Sequence, residues 1–170
     1  MTADAPRPLQ ARDLPGLLAV QQACYGAAFV EGAEVFARRL ASPSHRSLVL
    51  ERGGRVAAYL VAYASRLGHI TPLHGDFQPH ATPDTLYLHD MAVLPQCAGQ
   101  GLSGALLAQA LAQARAEGLR HTALVSVQDS QGYWARHGYA AHPLPDAAQR
   151  AHLASYGAGA SYLVRTLCIS

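Results

Sequence analysis

YLHDMAVLPQCAGQGLSGALL, residues 87–107, decides the fold of this chain. The part through Val93 is apolar enough for a buried strand, and the part after Gly101 begins an Ala- and Leu-rich helix. Pro95 and glycines at positions 99, 101 and 104 indicate a tight turn between the two. The stretch therefore predicts a strand, a glycine-rich turn and a helix N-terminus in direct succession.

This succession is typical of an anion site. The first backbone N–H groups of a helix lack intrahelical acceptors and lie at the positive end of the helix dipole, so a phosphate group can satisfy them. Glycine has no Cβ, which lets a ligand approach the backbone closely. We therefore expect the turn at residues 99–104 to bind a phosphorylated ligand.

The composition indicates one compact globular domain over residues 1–170. Half of the residues are hydrophobic and 14% are charged, which excludes a disordered chain. The 13 Lys and Arg residues nearly balance the 11 Asp and Glu residues and form no basic block, so we expect no nucleic-acid partner. Because the sequence holds neither a signal-peptide pattern nor an apolar run of roughly 18 residues, we expect a cytoplasmic protein without a membrane partner.

Potential metal ligands are few and poorly spaced. The three cysteines are far apart, which favours reduced thiols, and the long polar segment 65–84 contains His69, His74, Asp76 and His80. Because their spacing fits no ligand pattern, we expect no metal. The segment is instead predicted to be a flexible loop on the substrate side of the protein.

Hydrophobic periodicity predicts a mixed α/β sheet. Helices are expected at residues 13–25, 33–40, 101–117 and 130–137. Strands are expected at 46–52, 55–64, 85–93, 121–127, 139–142 and 160–168, with an extended piece at 7–10 and loops at 65–84 and 143–151. Gly53-Gly54 indicates an antiparallel hairpin, whereas the central strand–helix–strand succession requires a parallel pair.

Two motifs give the chain a family resemblance. VLPQCAGQGLSGALL, residues 93–107, resembles the acetyl-CoA-binding motif of the GNAT superfamily of N-acetyltransferases, in which a strand ending in Val leads to Q/R-x-x-G-x-G/A. SQGYWARHGY, residues 130–139, is similar to the second motif of that family. The order of elements matches the family from RPLQARDLPGLLAVQ, residues 7–21, to SYLVRTL, residues 161–167.

The resemblance implies a fold and a co-substrate. The fold is a single-domain α/β GNAT fold with a mixed, mostly antiparallel central sheet, flanking helices and a V-shaped splay between the two central parallel strands. The co-substrate is acetyl-CoA, with backbone groups of Met91, Ala92 and Val93 pairing with its pantetheine arm. The remaining implied cofactor-binding residues are Ala98, Gly99, Gln100, Gly101, Leu102, Ser103, Gly104, Ser130, Tyr133 and Trp134.

Three positions depart from the family pattern. Ala98 stands where the family favours Gln or Arg, and Ser103 stands at the final Gly/Ala position. We expect the side-chain donor lost at Ala98 to weaken cofactor affinity by about 1–3 kcal/mol without abolishing it, unless Gln96, Gln100 or the Ser103 hydroxyl replaces that donor. Trp134 replaces a Tyr that protonates the departing thiolate in many family members, and an indole N–H is not acidic enough for that task. Tyr133, Tyr139 or solvent is expected to replace it, since a thiol of pKa about 8.5 is a tolerable leaving group.

The candidate acid/base residues lie on the strand before the turn. Regular alternation predicts Tyr87, His89, Met91 and Val93 on one face of this strand and Asp90 on the other. In some relatives the residues four and six positions before the Val act in catalysis, which implies roles for His89 and Tyr87. A histidine titrates near neutrality and suits a general base, acting directly or through water. Two other interpretations stay open. His89 is a core histidine bonded to a backbone carbonyl, with Asp90 fixing it or capping a neighbouring loop, or Asp90 itself is catalytic.

These observations predict an acetyl-CoA-dependent N-acetyltransferase that moves acetyl directly to a primary amine of a small molecule or peptide. Cys97, beside the turn, keeps a covalent acetyl-enzyme open. A non-catalytic acyl-CoA-binding sensor or partner module is the alternative, motivated by the departures. A nucleotide-binding loop is disfavoured because no Gly-Lys-Ser/Thr follows the turn. The acceptor amine remains open. The acidic residues either attract a cationic amine or are solvated loop charges; they are Glu31, Glu34, Asp76 and Asp84. A homodimer through pairing of the last strand also remains open.

Overall fold

The structure, a computed structural model, describes residues 4–127 and 129–168. Seven strands form one open mixed sheet in the order β1-β2-β3-β4-β5-β7-β6. The strands are β1 (Arg7–Pro8), β2 (Leu48–Arg52), β3 (Arg55–Ser65), β4 (Thr85–Val93), β5 (His121–Ser126), β6 (Ala140–Ala141) and β7 (Ser161–Thr166). The α-helices are α1 (Leu14–Cys24), α2 (Ala33–Ala41), α3 (Leu102–Ala116), α4 (Gln131–Arg136) and α5 (Ala147–Ala154).

Helices cover both faces of this sheet. The apolar face of α3, with Leu106 and Ala110, packs with Leu60 and Leu86 in one core cluster. On the opposite face, apolar residues of α1 and α2 pack against Tyr59, Val61 and Tyr87 in a second cluster, in which the helical residues are Leu17, Val20 and Phe36. The predicted mixed, mostly antiparallel sheet with flanking helices is confirmed.

The predicted hairpin forms β2 and β3, and Gly53 and Gly54 both adopt positive φ in its turn. The loop predicted at residues 143–151 is wrong in its second half, because residues 147–154 form helix α5. The Asp146 side chain accepts hydrogen bonds from the backbone N–H groups of Ala148 and Gln149, which caps this helix. That N-cap is the local signal that identifies the helix.

The two central strands separate at their carboxyl ends. β4 and β5 pair in parallel from Thr85 with His121 to Leu88 with Leu124. β4 continues to Val93 against β3 on its other side, so the backbone of residues 89–93 borders an opening between β4 and β5. The V-shaped splay is confirmed.

A β-bulge at His89 changes which residues share a face of β4. Val61 pairs with Asp90 and Ala62 pairs with Leu88, so His89 is the extra residue opposite β3. Tyr87 and Ala92 therefore join one core cluster, whereas Leu88, Met91 and Val93 contact the other. The prediction that Tyr87, Met91 and Val93 share a face is wrong, because the extra residue reverses the alternation.

The segment between β3 and β4 is long but well packed. Ile70 and Phe77 are buried, and Phe77 stacks on Tyr63 with ring centroids 4.1 Å apart. The Gly75 carbonyl accepts hydrogen bonds from Nε and Nη2 of Arg39 at 3.0 and 2.9 Å. These residues pack against the second core cluster, which differs from the packing expected of the predicted flexible loop. Among the described helices, none is both long and apolar enough to cross a membrane.

Candidate active site

A cavity of about 300 Å³ opens between the separated ends of β4 and β5. One part is lined by β4, β5 and α4, with Leu88, Met91, Val125, Val127, Ser130, Tyr133 and Trp134. The other part, called the acceptor half below, is lined by Tyr25, Phe29, Glu31, Leu73, His89, Asp90 and Tyr156. The cavity thus joins the splayed strand edge to a group of polar and aromatic side chains.

The turn before α3 has the geometry of an anion cradle. Gly99 and Gly101 have φ of 76° and 77°, a conformation that favours glycine. Gly101 directly precedes α3, whose first-turn N–H groups have no intrahelical acceptor. A Cβ built at Gly99, Gly101 or Gly104 meets no protein atom within 4 Å, so the space above the turn is open to a ligand. These residues fit the pyrophosphate of a CoA ester.

Helix α4 brings its aromatic pair toward this turn. The Tyr133 hydroxyl donates to Oγ of Ser103, 3.3 Å away at the start of α3. Trp134 also lines the cavity and packs edge-on against Tyr133 and Tyr139. Tyr139 itself lies in the core, 3.1 Å from the Thr122 hydroxyl, and burial raises its pKa to about 12. Of the two tyrosines considered as proton donors, Tyr133 is the one at the cavity.

Glu31 is the centre of a buried polar network. Its carboxylate accepts two hydrogen bonds from the Arg39 guanidinium, at 2.8 and 2.6 Å, and one from the His74 backbone N–H at 2.8 Å. The Gln21 side chain holds the Glu31 backbone by donating to its carbonyl and accepting from its N–H. Burial by itself raises the Glu31 pKa, but hydrogen bonds from Arg39 and His89 outweigh burial and hold that pKa well below its usual range. Glu31 is therefore ionised and can only accept hydrogen bonds.

The His89 imidazole lies between Glu31 and Tyr156. Nε2 is 2.9 Å from Oε1 of Glu31 and must carry a hydrogen, because the carboxylate can only accept. Nδ1 is 3.4 Å from the Tyr156 hydroxyl, whose one proton is shared between this nitrogen and the Thr71 carbonyl, 2.5 Å away. The His89 side chain is 1% exposed, so its orientation is set by these neighbours. Nδ1 is the nitrogen that this arrangement leaves for proton transfer.

Asp90 points toward a different set of partners. Its Oδ2 accepts from the Tyr59 hydroxyl at 2.7 Å. Its Oδ1 is 2.9 Å from the Tyr25 hydroxyl, which shares its proton with the Met91 carbonyl at 3.0 Å. Burial raises the Asp90 pKa, and the hydrogen bond from Tyr59 opposes this rise only in part. Asp90 neither contacts His89 by a hydrogen bond nor caps a loop among the described contacts, unlike the reading in which it fixes that histidine.

The other residues singled out from the sequence are dispersed. The Tyr87 hydroxyl is buried without a hydrogen-bond partner among the described residues, and Tyr87 is not part of the cavity lining. The Asp76 carboxylate pairs with Arg38, and Asp84 accepts from the Leu67 N–H and the Thr85 hydroxyl. Glu34 is exposed. In the described ranges, no group of three or more His, Cys, Asp or Glu side chains is placed to hold a metal ion.

Sequence reasoning missed four contributors to the acceptor half. These are Tyr25, Arg39, Tyr156 and the buried role of Glu31, which had been considered as a loop charge. Tyr25 and Glu31 lie between α1 and α2, Arg39 lies on α2, and Tyr156 lies between α5 and β7, so no local motif links them to His89. The strongest signal available was an acidic residue just before α2 and a basic residue in its last turn.

Comparisons with known proteins agree with this geometry. The family model described as the acetyltransferase (GNAT) family matches residues 14–139. The ribosomal-protein-S18-alanine N-acetyltransferase from Escherichia coli superposes with a TM-score of 0.70 at 17% identity, covering 98% of this chain and 96% of that one. A GNAT family acetyltransferase from Brucella melitensis in complex with acetyl-CoA gives 0.58 at 23% identity, over 80% and 82% of the two chains.

A further structural neighbour has a different chemistry. GphF, a GNAT-like decarboxylase in complex with isobutyryl-CoA, gives a TM-score of 0.73 at 17% identity, over 96% and 99% of the two chains. Among curated proteins, none matches this chain significantly. The fold and the cradle define an α/β protein with a glycine-rich turn beside a splayed pair of central strands, and the family match extends over most of the chain. This chain belongs to the GNAT acetyltransferase family.

Proposed function

We propose that this protein is an acetyl-CoA-dependent N-acetyltransferase that moves acetyl directly from the thioester to a primary amine of a small molecule or peptide. The observation that carries the proposal is one continuous cavity, which extends from the splayed edge of β4 to the enclosed His89–Glu31 pair. The strand edge proposed to bind the cofactor and the imidazole proposed to accept the proton therefore line the same cavity.

The cofactor side supports binding of a CoA ester. Backbone groups of Met91, Ala92 and Val93 lie along the splayed edge, where the pantetheine arm would pair like an added strand. N–H groups of residues 99–104 would hold the pyrophosphate at the positive end of α3. The missing side-chain donor at Ala98 leaves this binding to the backbone.

The acceptor side supports removal of a proton. The neutral amine nitrogen attacks the thioester carbon, the C–N bond forms, the C–S bond breaks, and the amine nitrogen loses one proton. His89 would accept that proton at Nδ1, directly or through one water, while Glu31 holds Nε2–H. The proton for the departing thiolate would come from Tyr133 or solvent, since Tyr133 is the tyrosine of α4 that lies at the cavity.

Direct transfer is favoured over a covalent acetyl-enzyme. Cys97 is half-buried, packs against the cluster beneath α3 and does not line the cavity. Cys24 donates its thiol hydrogen to the Val93 carbonyl at 3.0 Å, and burial raises its pKa. Neither thiol has the exposed, electropositive surroundings of a nucleophilic cysteine.

The test is release of free CoA from acetyl-CoA in the presence of a panel of amines and peptides, with mass spectrometry to detect the acetylated product. We expect amine-dependent CoA release and a strong loss of turnover in His89→Gln, together with loss of the acidic limb of the pH–rate profile. An acyl-CoA sensor would instead bind acetyl-CoA in calorimetry and release no CoA with any amine. Absence of calorimetric binding would contradict both functions.

A further inference from the structure

The acceptor half of the cavity carries a charge pattern that the family membership does not specify. We infer that its substrate is a cationic primary amine on an apolar, preferably aromatic, body that bears no carboxylate, with Asp90 as the partner of the ammonium group. This inference rests on the proposed function, because it names the amine that the same site would acetylate.

The acceptor half contains two carboxylates, and only one of them is paired with a cation among the described residues. Two carboxylates line the acceptor half, Glu31 and Asp90. The Glu31 charge is balanced by the bidentate Arg39 guanidinium, and these two side chains are 2% and 1% exposed. Arg39 also donates two hydrogen bonds to the Gly75 carbonyl, and it does not line the cavity. One carboxylate of the acceptor half is therefore electrically compensated within the protein.

Asp90 is not compensated in the same way. Its two described partners, the hydroxyls of Tyr25 and Tyr59, are neutral. They hold the carboxylate in place and leave each oxygen a further lone pair to accept a hydrogen bond. The cavity lining, over the residues the structure describes, contains neither Lys nor Arg. A substrate that binds as the ammonium would supply the cation that Asp90 lacks. Its first proton would pass to bulk water to give the attacking neutral amine, so the proton that His89 accepts is the second.

Aromatic and apolar side chains line the cavity beside Asp90. Beside Asp90, the acceptor half presents the side chains of Tyr25, Phe29, Leu73 and Tyr156. Aromatic rings bury apolar surface and attract cations over their faces. An alkyl or aryl group next to the ammonium would therefore be favourably enclosed, in the space adjoining Nδ1 of His89.

The same lining disfavours amino acids as substrates. An α-carboxylate would enter a site that already holds Asp90 and offers no uncommitted guanidinium or ammonium among the described lining residues. Juxtaposed like charges and an unpaired desolvated carboxylate are both unfavourable. We therefore expect discrimination of about 100-fold or more against the carboxylate.

Three acceptors that share one ring and one amine test this inference: 2-phenylethylamine, phenylalaninamide and phenylalanine. In steady-state assays with saturating acetyl-CoA, we expect kcat/KM for the first two to exceed that for phenylalanine by about 100-fold. Phenylalaninamide controls for bulk, because it differs from phenylalanine in charge and hardly in size. Equal kcat/KM for phenylalanine and phenylalaninamide would overturn the inference and leave the proposed function standing.

Two variants sharpen the test. Asp90→Asn should lower kcat/KM for 2-phenylethylamine by about 10- to 100-fold, mainly through KM, because the ammonium loses its charged partner. Leu73→Arg adds a cation to the lining and should raise kcat/KM for phenylalanine while lowering it for 2-phenylethylamine, with Leu73→Gln as the matched neutral control. The Leu73 backbone N–H donates to Ser155 Oγ, a contact that both substitutions retain.

The outcomes separate the two proposals. Amine-dependent CoA release without any preference against the carboxylate contradicts only the substrate class. If none of the acceptors causes release of CoA, the proposed function is contradicted, and the substrate class with it. If Asp90→Asn does not fold by circular dichroism, the Leu73→Arg and Leu73→Gln pair still decides the inference, since an unchanged preference in Leu73→Arg would overturn it.

Discussion

His89 and Glu31 lie 58 positions apart in the sequence, yet Nε2 of the histidine is 2.9 Å from the glutamate carboxylate. Both side chains are enclosed, at 1% and 2% exposure. A carboxylate that orients an imidazole selects its tautomer, and here it leaves Nδ1 as the basic atom. The pair thus determines which nitrogen is available to the acceptor amine.

Glu31→Gln should therefore impair turnover by reversing this tautomer. The glutamine amide would donate to Nε2 and move the imidazole hydrogen to Nδ1, which then cannot accept a proton. We expect kcat to fall by about 10²- to 10⁴-fold with little change in KM for acetyl-CoA. The matched control is Glu34→Gln, at an exposed position of the same segment. Nitrogen chemical shifts of labelled His89 report the tautomer directly, and an unchanged tautomer would refute this explanation.

Arg39→Met should destabilise the protein, because it leaves the Glu31 charge buried without its cation. Breaking a buried ion pair in this way lowers the free energy of unfolding by about 3–5 kcal/mol. Arg38→Met is the control on the adjacent residue, since the Arg38–Asp76 pair is 49% and 61% exposed. An exposed pair contributes about 1 kcal/mol or less. Urea unfolding of the two variants should separate them clearly, and similar midpoints would argue against a structural role for the network.

Stability should depend on pH through Glu31. Its pKa is lower in the folded protein than in the unfolded chain, so the unfolded chain binds more protons between the two values. The stabilisation is fully present above the unfolded value of about 4.3 and is lost as pH falls below it. Urea unfolding between pH 6 and pH 3 should show this loss in the wild type and a shallower dependence in Glu31→Gln. Parallel curves for the two proteins would show that another group is responsible.

Gly104→Val should weaken acetyl-CoA binding without disturbing the fold. A Cβ at Gly104 meets no protein atom within 4 Å, so a larger side chain would occupy the space above the turn where phosphate would approach. We expect Kd for acetyl-CoA to rise about 10-fold or more, because close approach to the backbone requires glycine there. Ala112→Val, at an exposed position of the same helix, controls for the helix propensity of valine. Calorimetry measures the affinities, and equal Kd values in the two variants would place the phosphate elsewhere.

Much of the fold follows from local pattern. The hairpin glycines, the alternating strands and the strand–turn–helix of residues 85–116 all appear near their predicted positions. The glycine-rich turn was predictable for the same reason, because the turn, the strand before it and the helix after it are contiguous in the chain. Helix α5 was missed although its Asp146 cap is equally local.

The acceptor half followed from no such pattern. Regular alternation failed on β4, because a single bulge at His89 reverses the faces of the residues beyond it. A bulge arises from how two strands pair, which the residues of one strand do not report. His89 was identified from its residue type and position, but its partners Glu31 and Tyr156 were not.

By itself, the sequence determined the class of the fold and the position of the glycine-rich turn before α3, and it singled out His89 on the strand before that turn. These depend on backbone preferences and on spacing within about twenty residues, which a chain carries locally. Only the tertiary structure decided that Arg39 neutralises Glu31, that Glu31 orients His89 and that the partners of Asp90 among the described residues are neutral. These contacts join segments that are distant along the chain. The charge that a site presents to its substrate depends on which ionisable side chains are buried against one another, and only the folded structure shows that.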